Sequence, residues 1–287
     1  MSEALALVDS PFGFELEHLS SVIGTVVHGI DLRVMPNEDV AEWLAALLVE
    51  RKVIFFRDQD ITQTEHIAFA RCFGDLEVHP FTRNSDSHPE IIHLDNDRER
   101  PPKINVWHSD VTWRDEPSLG SILRAVEVPD VGGDTLFANM EAAYDKLDDA
   151  TKAEFQGRRA VHDNEVFLSG MYSRGVSEEK VAELRRDFPP TTHPVFRTHP
   201  VSGKKAIYVN STFTRTLEGF AEEEEAALLL EPLYRAAWNP DIQCRFKWQK
   251  HSIAFWDNRS TQHFAAADYW PAVRKMERVT VLGDRPF

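Results

Sequence analysis

The chain has 287 residues, 42% hydrophobic and 28% charged, a composition typical of a globular protein that folds without disulfides. Its 47 acidic and 32 basic side chains leave a formal charge of -15, which disfavours nucleic acid as a partner because phosphate backbones would be repelled. Two cysteines, Cys72 and Cys244, are too few for a disulfide framework or a four-thiolate metal site. No signal peptide or membrane span is predicted, so we expect a cytoplasmic protein with no membrane partner.

Apolar periodicity and capping residues predict the elements of the chain. In the N-terminal part these are a strand at 19–32 that turns at Gly24, a helix capped by Asn37, a strand at 53–56, a helix that begins with a Thr62–Glu65 capping box, and a mobile loop at 80–103. There follow strands at 121–128 and 135–138, helices near 140–156, 177–186 and 221–234, and strands at 245–248, 252–256 and 278–282. With no internal repeat or linker, this pattern predicts one domain over 1–287, a β-sandwich or barrel with helices outside.

A histidine and an aspartate two residues apart stand out in the sequence Trp107-His108-Ser109-Asp110. On an extended chain such residues project from the same face, so His108 and Asp110 could bind one ion. With a second imidazole they would form the facial triad of non-heme Fe(II) oxygenases, which leaves positions open for a co-substrate and O₂. Alternatively, His108 caps a turn and Asp110 accepts a backbone N–H.

The sequence WDNRSTQH at 256–263 supplies a second candidate imidazole. Because it follows an apolar strand, we expect His263 just beyond a strand end. Farther along, Arg274 and Arg278 would share one face of an extended segment, and a guanidinium can hold a carboxylate by two hydrogen bonds. The pair predicts a site for two anions beside the metal; the alternative is a solvated basic segment, since Lys275 lies between them.

Five motifs together strongly resemble the taurine dioxygenase (TauD/TfdA) family of Fe(II)/2-oxoglutarate-dependent dioxygenases: WHSD, GGDT, THPVSGK, WDNRSTQH and VTVLGDRPF. The resemblance extends from Gly24 to the last residue. It implies a mainly β fold with flanking helices around a double-stranded β-helix, a jelly-roll (cupin-like) core. It also implies a homo-oligomer, either a dimer or a tetramer.

The resemblance also implies the cofactors and their ligands. His108, Asp110 and His263 would bind Fe(II). Thr135, in the GGDT motif, and Arg274 would hold the distal carboxylate of 2-oxoglutarate. With O₂, the co-substrate would be converted to succinate and CO₂ while the substrate is hydroxylated.

A small anionic organic substrate is expected from the same resemblance. Arg278 and His79 match the positions that hold the sulfonate of taurine. Phe213 and Phe167 would form the apolar wall of the pocket.

Two substitutions relative to the family pattern disfavour taurine itself. Ile104 replaces an asparagine near the taurine amine, and Thr82 replaces a tyrosine. An ammonium group buried against isoleucine would cost on the order of several kcal/mol. We therefore expect an alkyl sulfate or a longer alkanesulfonate, which hydroxylation next to the heteroatom would cleave into an aldehyde and sulfate or sulfite.

Several alternatives remain open at this point. The same chemistry could act on an aryloxyalkanoate or on a carboxylate substrate of a biosynthetic reaction. From another class, the chain could be a non-catalytic metal-binding jelly roll, which the presence of both Thr135 and Arg274 disfavours. A zinc hydrolase would need a general base near the metal, and no acidic or histidine residue is spaced for that role.

Overall fold

The computed structural model describes residues 8–81, 84–85, 87–172 and 175–287. Helices and strands take up similar shares of these residues, so the fold is mixed and has large sheets instead of being mainly β. The strands are β1 (Val8–Asp9), β2 (Glu15–His18), β3 (Thr25–His28), β4 (Val53–Phe56), β5 (Ile92–Asn96), β6 (Gly120–Glu127), β7 (Thr135–Asn139), β8 (Arg159–His162), β9 (Thr191–Pro194), β10 (Phe196–Thr198), β11 (Lys205–Ile207), β12 (Thr214–Leu217), β13 (Gln243–Phe246), β14 (Ile253–Asp257), β15 (Thr261–Ala265) and β16 (Arg274–Val281). The helices are α1 (Glu38–Arg51), α2 (Gln63–Arg71), α3 (Met140–Asp145), α4 (Asp149–Phe155), α5 (Glu165–Tyr172), α6 (Glu178–Asp187) and α7 (Glu223–Ala236), with a 3₁₀ turn at Pro240–Ile242. Among these helices, none is long and apolar enough to cross a bilayer.

The largest sheet has eight strands in the order β1-β2-β3-β4-β14-β6-β16-β5. Its β3 and β4 are parallel, whereas the pairs around β14 and β16 are antiparallel. A three-stranded sheet, β13-β7-β15, is the second element that matters for the site. The remaining strands form the sheet β12-β8-β9 and the pair β10-β11.

The eight-stranded sheet and the sheet β13-β7-β15 share one apolar core. Val53 and Phe55 of β4 pack in this core with Phe137 of β7 and Phe246 of β13, and the rings of Phe55 and Phe246 stack with centroids 3.9 Å apart. The alternate residues of β4 face the other way, toward a core closed by α1 and α2. This period-two alternation assigns one sheet face to the helices and the other to the space between the sheets.

Strand β16 places two arginines in the space between the sheets. It pairs with β6 on one side and with β5 on the other. Met276 lies in the core between the sheets. Arg274 and Arg278, two residues before and after Met276, therefore project from the same face, as the sequence predicts.

Some predictions of local structure are wrong. The strand predicted at 19–32 is limited to β3, Thr25–His28. The segment 80–103 is not a loop throughout, because β5 lies within it and pairs with β16, with Ile92 buried opposite Arg278. The helical segment near 140–156 is two helices, because the Asp148 side chain accepts a hydrogen bond from the backbone N–H of Thr151 and thereby caps a new helix. The predicted Asn37 cap and the capping box of α2 are confirmed.

Candidate functional site

His108 and His263 lie side by side on segments that are hydrogen-bonded to each other. The backbone N–H of each donates to the carbonyl of the other, with N···O distances of 3.1 and 2.8 Å, and their ring centroids are 4.2 Å apart. His263 lies within β15 and not beyond a strand end, because the chain turns at 258–260 and begins a new strand. The Nδ1 of His108 lies 2.9 Å from the Val106 carbonyl; a proton donated there leaves Nε2 as the free nitrogen.

Asp110 joins the two histidines in a buried cluster. One ligand atom from each of the three residues lies within 4.8 Å of the others. The carboxylate accepts hydrogen bonds from Ser121 Oγ and from Arg278 Nη1, both at 2.8 Å. The backbone N–H of Asp110 donates to Asn258 Oδ1 at 2.6 Å, and Asn258 Nδ2 donates to the Asp110 carbonyl at 2.8 Å. Asn258 thereby fixes the backbone of Asp110. These contacts orient a potential metal ligand from two sides.

The charges of the cluster fit a divalent metal ion. Burial raises the pKa of Asp110, but Arg278 and the two histidines outweigh it and hold that pKa well below its usual range. Burial lowers the pKa of His108 and lowers that of His263 to about 3. Two neutral imidazoles and one carboxylate are the donor set of facial Fe(II) sites. The residues present therefore fit the predicted metal.

A second group of polar side chains lies around Arg274. This arginine is 6% exposed, and its Nε has no hydrogen-bond partner in the described part of the chain. Its guanidinium lies 5.9 Å from the ring centroids of both Trp248 and Tyr269. Thr135 Oγ1 accepts a 2.9 Å hydrogen bond from Trp248 Nε1, which leaves the hydroxyl proton free to donate. A buried cation and a spare hydroxyl donor fit a carboxylate.

Gly133 lets the turn before Thr135 approach Arg274 closely. Its φ is +73°, and a Cβ there would lie 3.2 Å from Tyr269 Cδ1 and 3.3 Å from Arg274 Cδ. Its N–H donates to Asp268 Oδ1 at 2.8 Å. The GGDT motif thus packs the turn against the arginine, where a side chain would crowd it.

The residues predicted to bind substrate mostly converge beside the histidines. His79 is buried, and its ring centroid lies 5.8 Å from that of Phe167. The Phe167 ring lies 5.7 Å from Phe213, whose ring is 6.2 Å from His108. Burial, with Arg278 and Arg114 nearby, lowers the pKa of His79 to about 3.

Ile104 and Thr82 differ from this group. Ile104 is 37% exposed in the irregular segment that precedes His108, so it lies at the protein surface. Thr82 lies outside the described residues.

The chain matches the family described as Taurine catabolism dioxygenase TauD, TfdA family, over residues 15–280. The protein is a member of the TauD/TfdA dioxygenase family. The predicted family and enzyme class are therefore confirmed.

Two proteins of similar sequence align with most of the chain. An alkylsulfatase of Acinetobacter baylyi is 35% identical, with 94% of this chain and 85% of the relative aligned. An alpha-ketoglutarate-dependent sulfate ester dioxygenase of Pseudomonas putida is 33% identical, with 100% and 95% aligned.

Two solved structures have folds similar to that of this chain. A putative alpha-ketoglutarate-dependent taurine dioxygenase from Burkholderia xenovorans is 33% identical, with a TM-score of 0.81 over 95% of this chain and 94% of its own. AAD-2, solved with Mn(II) and N-oxalylglycine, is 32% identical, with a TM-score of 0.78 over 95% and 98% of the two chains.

Three residues that contact the candidate site were not singled out from the sequence. Asn258 lies in the same WDNRSTQH motif as His263, so the motif carried a signal for it. Ser121 and Trp248 carry no such signal, because each is an ordinary residue of its segment and is recognised only by its hydrogen bond to Asp110 or to Thr135.

Proposed function

We propose that the protein hydroxylates an alkyl sulfate or alkanesulfonate at the carbon next to the heteroatom, which releases an aldehyde and sulfate or sulfite. The observation that carries this proposal is the position of Arg278. Its Nη1 holds Asp110 at 2.8 Å, while its Nε is buried without a partner among the described residues. A cation beside the metal ligands with unused donors suits a sulfur oxyanion.

The enzyme is a 2-oxoglutarate-dependent dioxygenase, and the predicted use of Fe(II), 2-oxoglutarate and O₂ is confirmed. The names of the relatives from Acinetobacter baylyi and Pseudomonas putida support sulfate esters as the substrate class. When bound, iron, 2-oxoglutarate and O₂ supply the oxidant, with succinate and CO₂ as products.

Six side chains have proposed roles around the metal and co-substrate. His108, Asp110 and His263 would bind Fe(II). Thr135 and Arg274 would hold the distal carboxylate of 2-oxoglutarate, for which the unpartnered Arg274 Nε and the free Thr135 hydroxyl proton are suited. Ser121 would hold the Asp110 oxygen that Arg278 leaves free, so that the carboxylate keeps one orientation.

His79 would donate one hydrogen bond to the oxyanion of the substrate. Its Nδ1 accepts a 3.2 Å bond from the backbone N–H of Phe81, so the ring proton is on Nε2. Phe167 and Phe213 would line the alkyl chain and exclude water. Ile104 and Thr82 would lie nearer the entrance.

The wider architecture is also part of the proposal. The two facing sheets would correspond to a double-stranded β-helix, or jelly roll, in a single domain over 1–287. We propose a homo-oligomer, a dimer or a tetramer, in the cytoplasm, with no nucleic-acid or membrane partner. The acidic balance of the chain supports the exclusion of nucleic acid.

An aryloxyalkanoate is the second candidate substrate. The rings around His79 favour it, since Trp113, Phe81 and Phe167 all lie within 6.0 Å of the His79 ring centroid. An arginine and an imidazole N–H would bind a carboxylate as well as a sulfonate.

Succinate formation by anaerobically Fe(II)-loaded enzyme, started with O₂, tests the function. The panel contains taurine, a medium-chain alkanesulfonate, an alkyl sulfate, an aryloxyacetate and no substrate, with His263→Ala as the inactive control. We expect stimulation by the alkyl sulfate or alkanesulfonate, with release of sulfate or sulfite. Stimulation by the aryloxyacetate alone would replace the proposed substrate with the second candidate, and no stimulation by any compound would refute both.

A further inference from the structure

A buried carboxylate that has no part in the reaction lies beside the proposed anion pocket. Glu77 is 4% exposed, and its backbone N–H donates to the carbonyl of Thr280 at 2.9 Å, which places it alongside β16 near Arg278. Arg114 forms an ion pair with it, with Nη2 and Oε1 2.5 Å apart. The guanidinium of Arg114 also lies 4.9 Å from the ring centroid of Trp113, which holds it in place.

Glu77, Arg114 and Arg278 form one electrostatic group with His79. Burial raises the pKa of Glu77, and both Arg114 and Arg278 oppose that rise. Burial lowers the pKa of His79, and the same two guanidinium groups lower it further. The anion subsite therefore has two cations, one carboxylate and a neutral imidazole.

The charges of the loaded site determine what this group can accept. Arg278 is paired with Asp110, Arg114 with Glu77, and Arg274 would be paired with the distal carboxylate of the co-substrate. A divalent metal, offset by the second carboxylate of the co-substrate, then leaves a single positive charge for the substrate. Without Glu77 the subsite would carry two positive charges.

We propose that Glu77 is a specificity-determining residue, which restricts the anion subsite to substrates with one negative charge and excludes dianions such as phosphate monoesters. This inference rests on the proposed function and adds the charge of the substrate to it. Sulfate and phosphate monoesters are both tetrahedral and similar in size, so shape alone separates them poorly. A buried charge needs a partner, and the second charge of a phosphate monoester has none in this subsite.

Binding of hexyl sulfate and hexyl phosphate tests the inference without turnover. Titration calorimetry on enzyme loaded with Mn(II) and N-oxalylglycine is carried out at about pH 8, where a phosphate monoester, with its second pKa at roughly 6, is doubly charged. We expect the wild type to prefer the sulfate by about 100-fold or more. Glu77→Gln keeps the size of the side chain and should reduce this preference about 10-fold, chiefly through tighter phosphate binding, since each tenfold is 1.4 kcal/mol.

Glu277→Gln is the matched control. Glu277 is also a buried partner of an arginine, 3.0 Å from Arg124 Nη1, and it is next to Arg278 in sequence but on the opposite face of β16. We expect this variant to keep the wild-type preference.

The outcomes separate this inference from the proposed function. An unchanged preference in Glu77→Gln, or an equal loss of affinity for both ligands, would overturn the inference and leave the function intact. Failure of the wild type to bind any sulfate ester or sulfonate would overturn both. If Glu77→Gln does not fold, the wild type at about pH 8 with the hexyl monoester of H-phosphonic acid gives the result, because this tetrahedral phosphorus ester is singly charged and must approach the affinity of the sulfate; an affinity as low as that of hexyl phosphate would overturn the inference.

Discussion

Replacing Arg274 with methionine should affect co-substrate binding and stability in opposite directions. Methionine fills a similar volume but removes the proposed partner of the 2-oxoglutarate carboxylate. Removal of one member of a buried, hydrogen-bonded charge pair costs about 2–5 kcal/mol. At 1.4 kcal/mol per tenfold, the dissociation constant of 2-oxoglutarate should rise at least about 30-fold and up to several thousandfold.

The ligand-free protein should become more stable in the same variant. Arg274 is 6% exposed and its Nε has no partner among the described residues, so folding buries a cation at a net cost. Relief of an unsatisfied buried group is worth about 1–3 kcal/mol of unfolding free energy. A rise in Tm together with a loss of co-substrate affinity is expected only if the arginine is held for a ligand.

Titration of N-oxalylglycine into Mn(II)-loaded enzyme and thermal unfolding without ligand measure the two effects. Lys275→Met is the matched control, because Lys275 is the next residue of β16, half exposed, and paired with Glu127 at 2.6 Å on the surface. Binding by Arg274→Met within about threefold of the wild type, a difference under 1 kcal/mol, would refute the role assigned to Arg274. Equal weakening of binding by Lys275→Met would refute it as well.

Three further predictions follow from other contacts. Arg278→Met should raise the KM for the alkyl sulfate about 30-fold or more while 2-oxoglutarate is still consumed. The ratio of succinate to aldehyde should therefore rise, and an unchanged ratio would contradict the role assigned to Arg278. Asn258→Ala should weaken metal binding about 10–100-fold by loosening Asp110, measured by Mn(II) EPR titration, and wild-type affinity would exclude that positioning role. Burial, with a smaller effect of Arg124, lowers the pKa of His66 to about 3, so the unfolded chain takes up a proton below pH 6.5 that the folded one does not. Urea unfolding should thus show a loss of about 2 kcal/mol between about pH 6.5 and 5 that His66→Gln lacks, and equal pH profiles would contradict it.

The sequence predicts the elements of this fold best where a local signal determines them. The Asn37 cap, the Thr62–Glu65 capping box and the apolar run 53–56 each define an element within a few residues. Strand β5 escaped prediction because its surroundings are polar and rich in turns, and its place is fixed by pairing with β16. Long-range pairing of that kind leaves little trace in a local pattern.

The candidate site, like the fold, is predicted where the sequence carries a recognisable pattern and missed where only long-range contacts define it. His108 and Asp110 drew attention by their spacing of two residues, and the resemblance to the family assigned the roles of His263, Thr135 and Arg274. The contact between Glu77 and Arg114 was not foreseeable, because 37 residues separate the two and each is an ordinary charged residue in its own segment. A buried charge shows its significance only once its neighbours are known.

The three ligands of the proposed metal site belong to different layers of the molecule. Asp110 is hydrogen-bonded to Ser121 of β6 and Arg278 of β16, in the eight-stranded sheet, whereas His263 is part of β15 in the facing sheet. A bound ion would thus link the rims of the two layers, in addition to the backbone bridge between His108 and His263. Chelation should then increase amide hydrogen exchange and proteolytic nicking along β15 and the segment around residues 106–110, while β4 and β14 keep their protection.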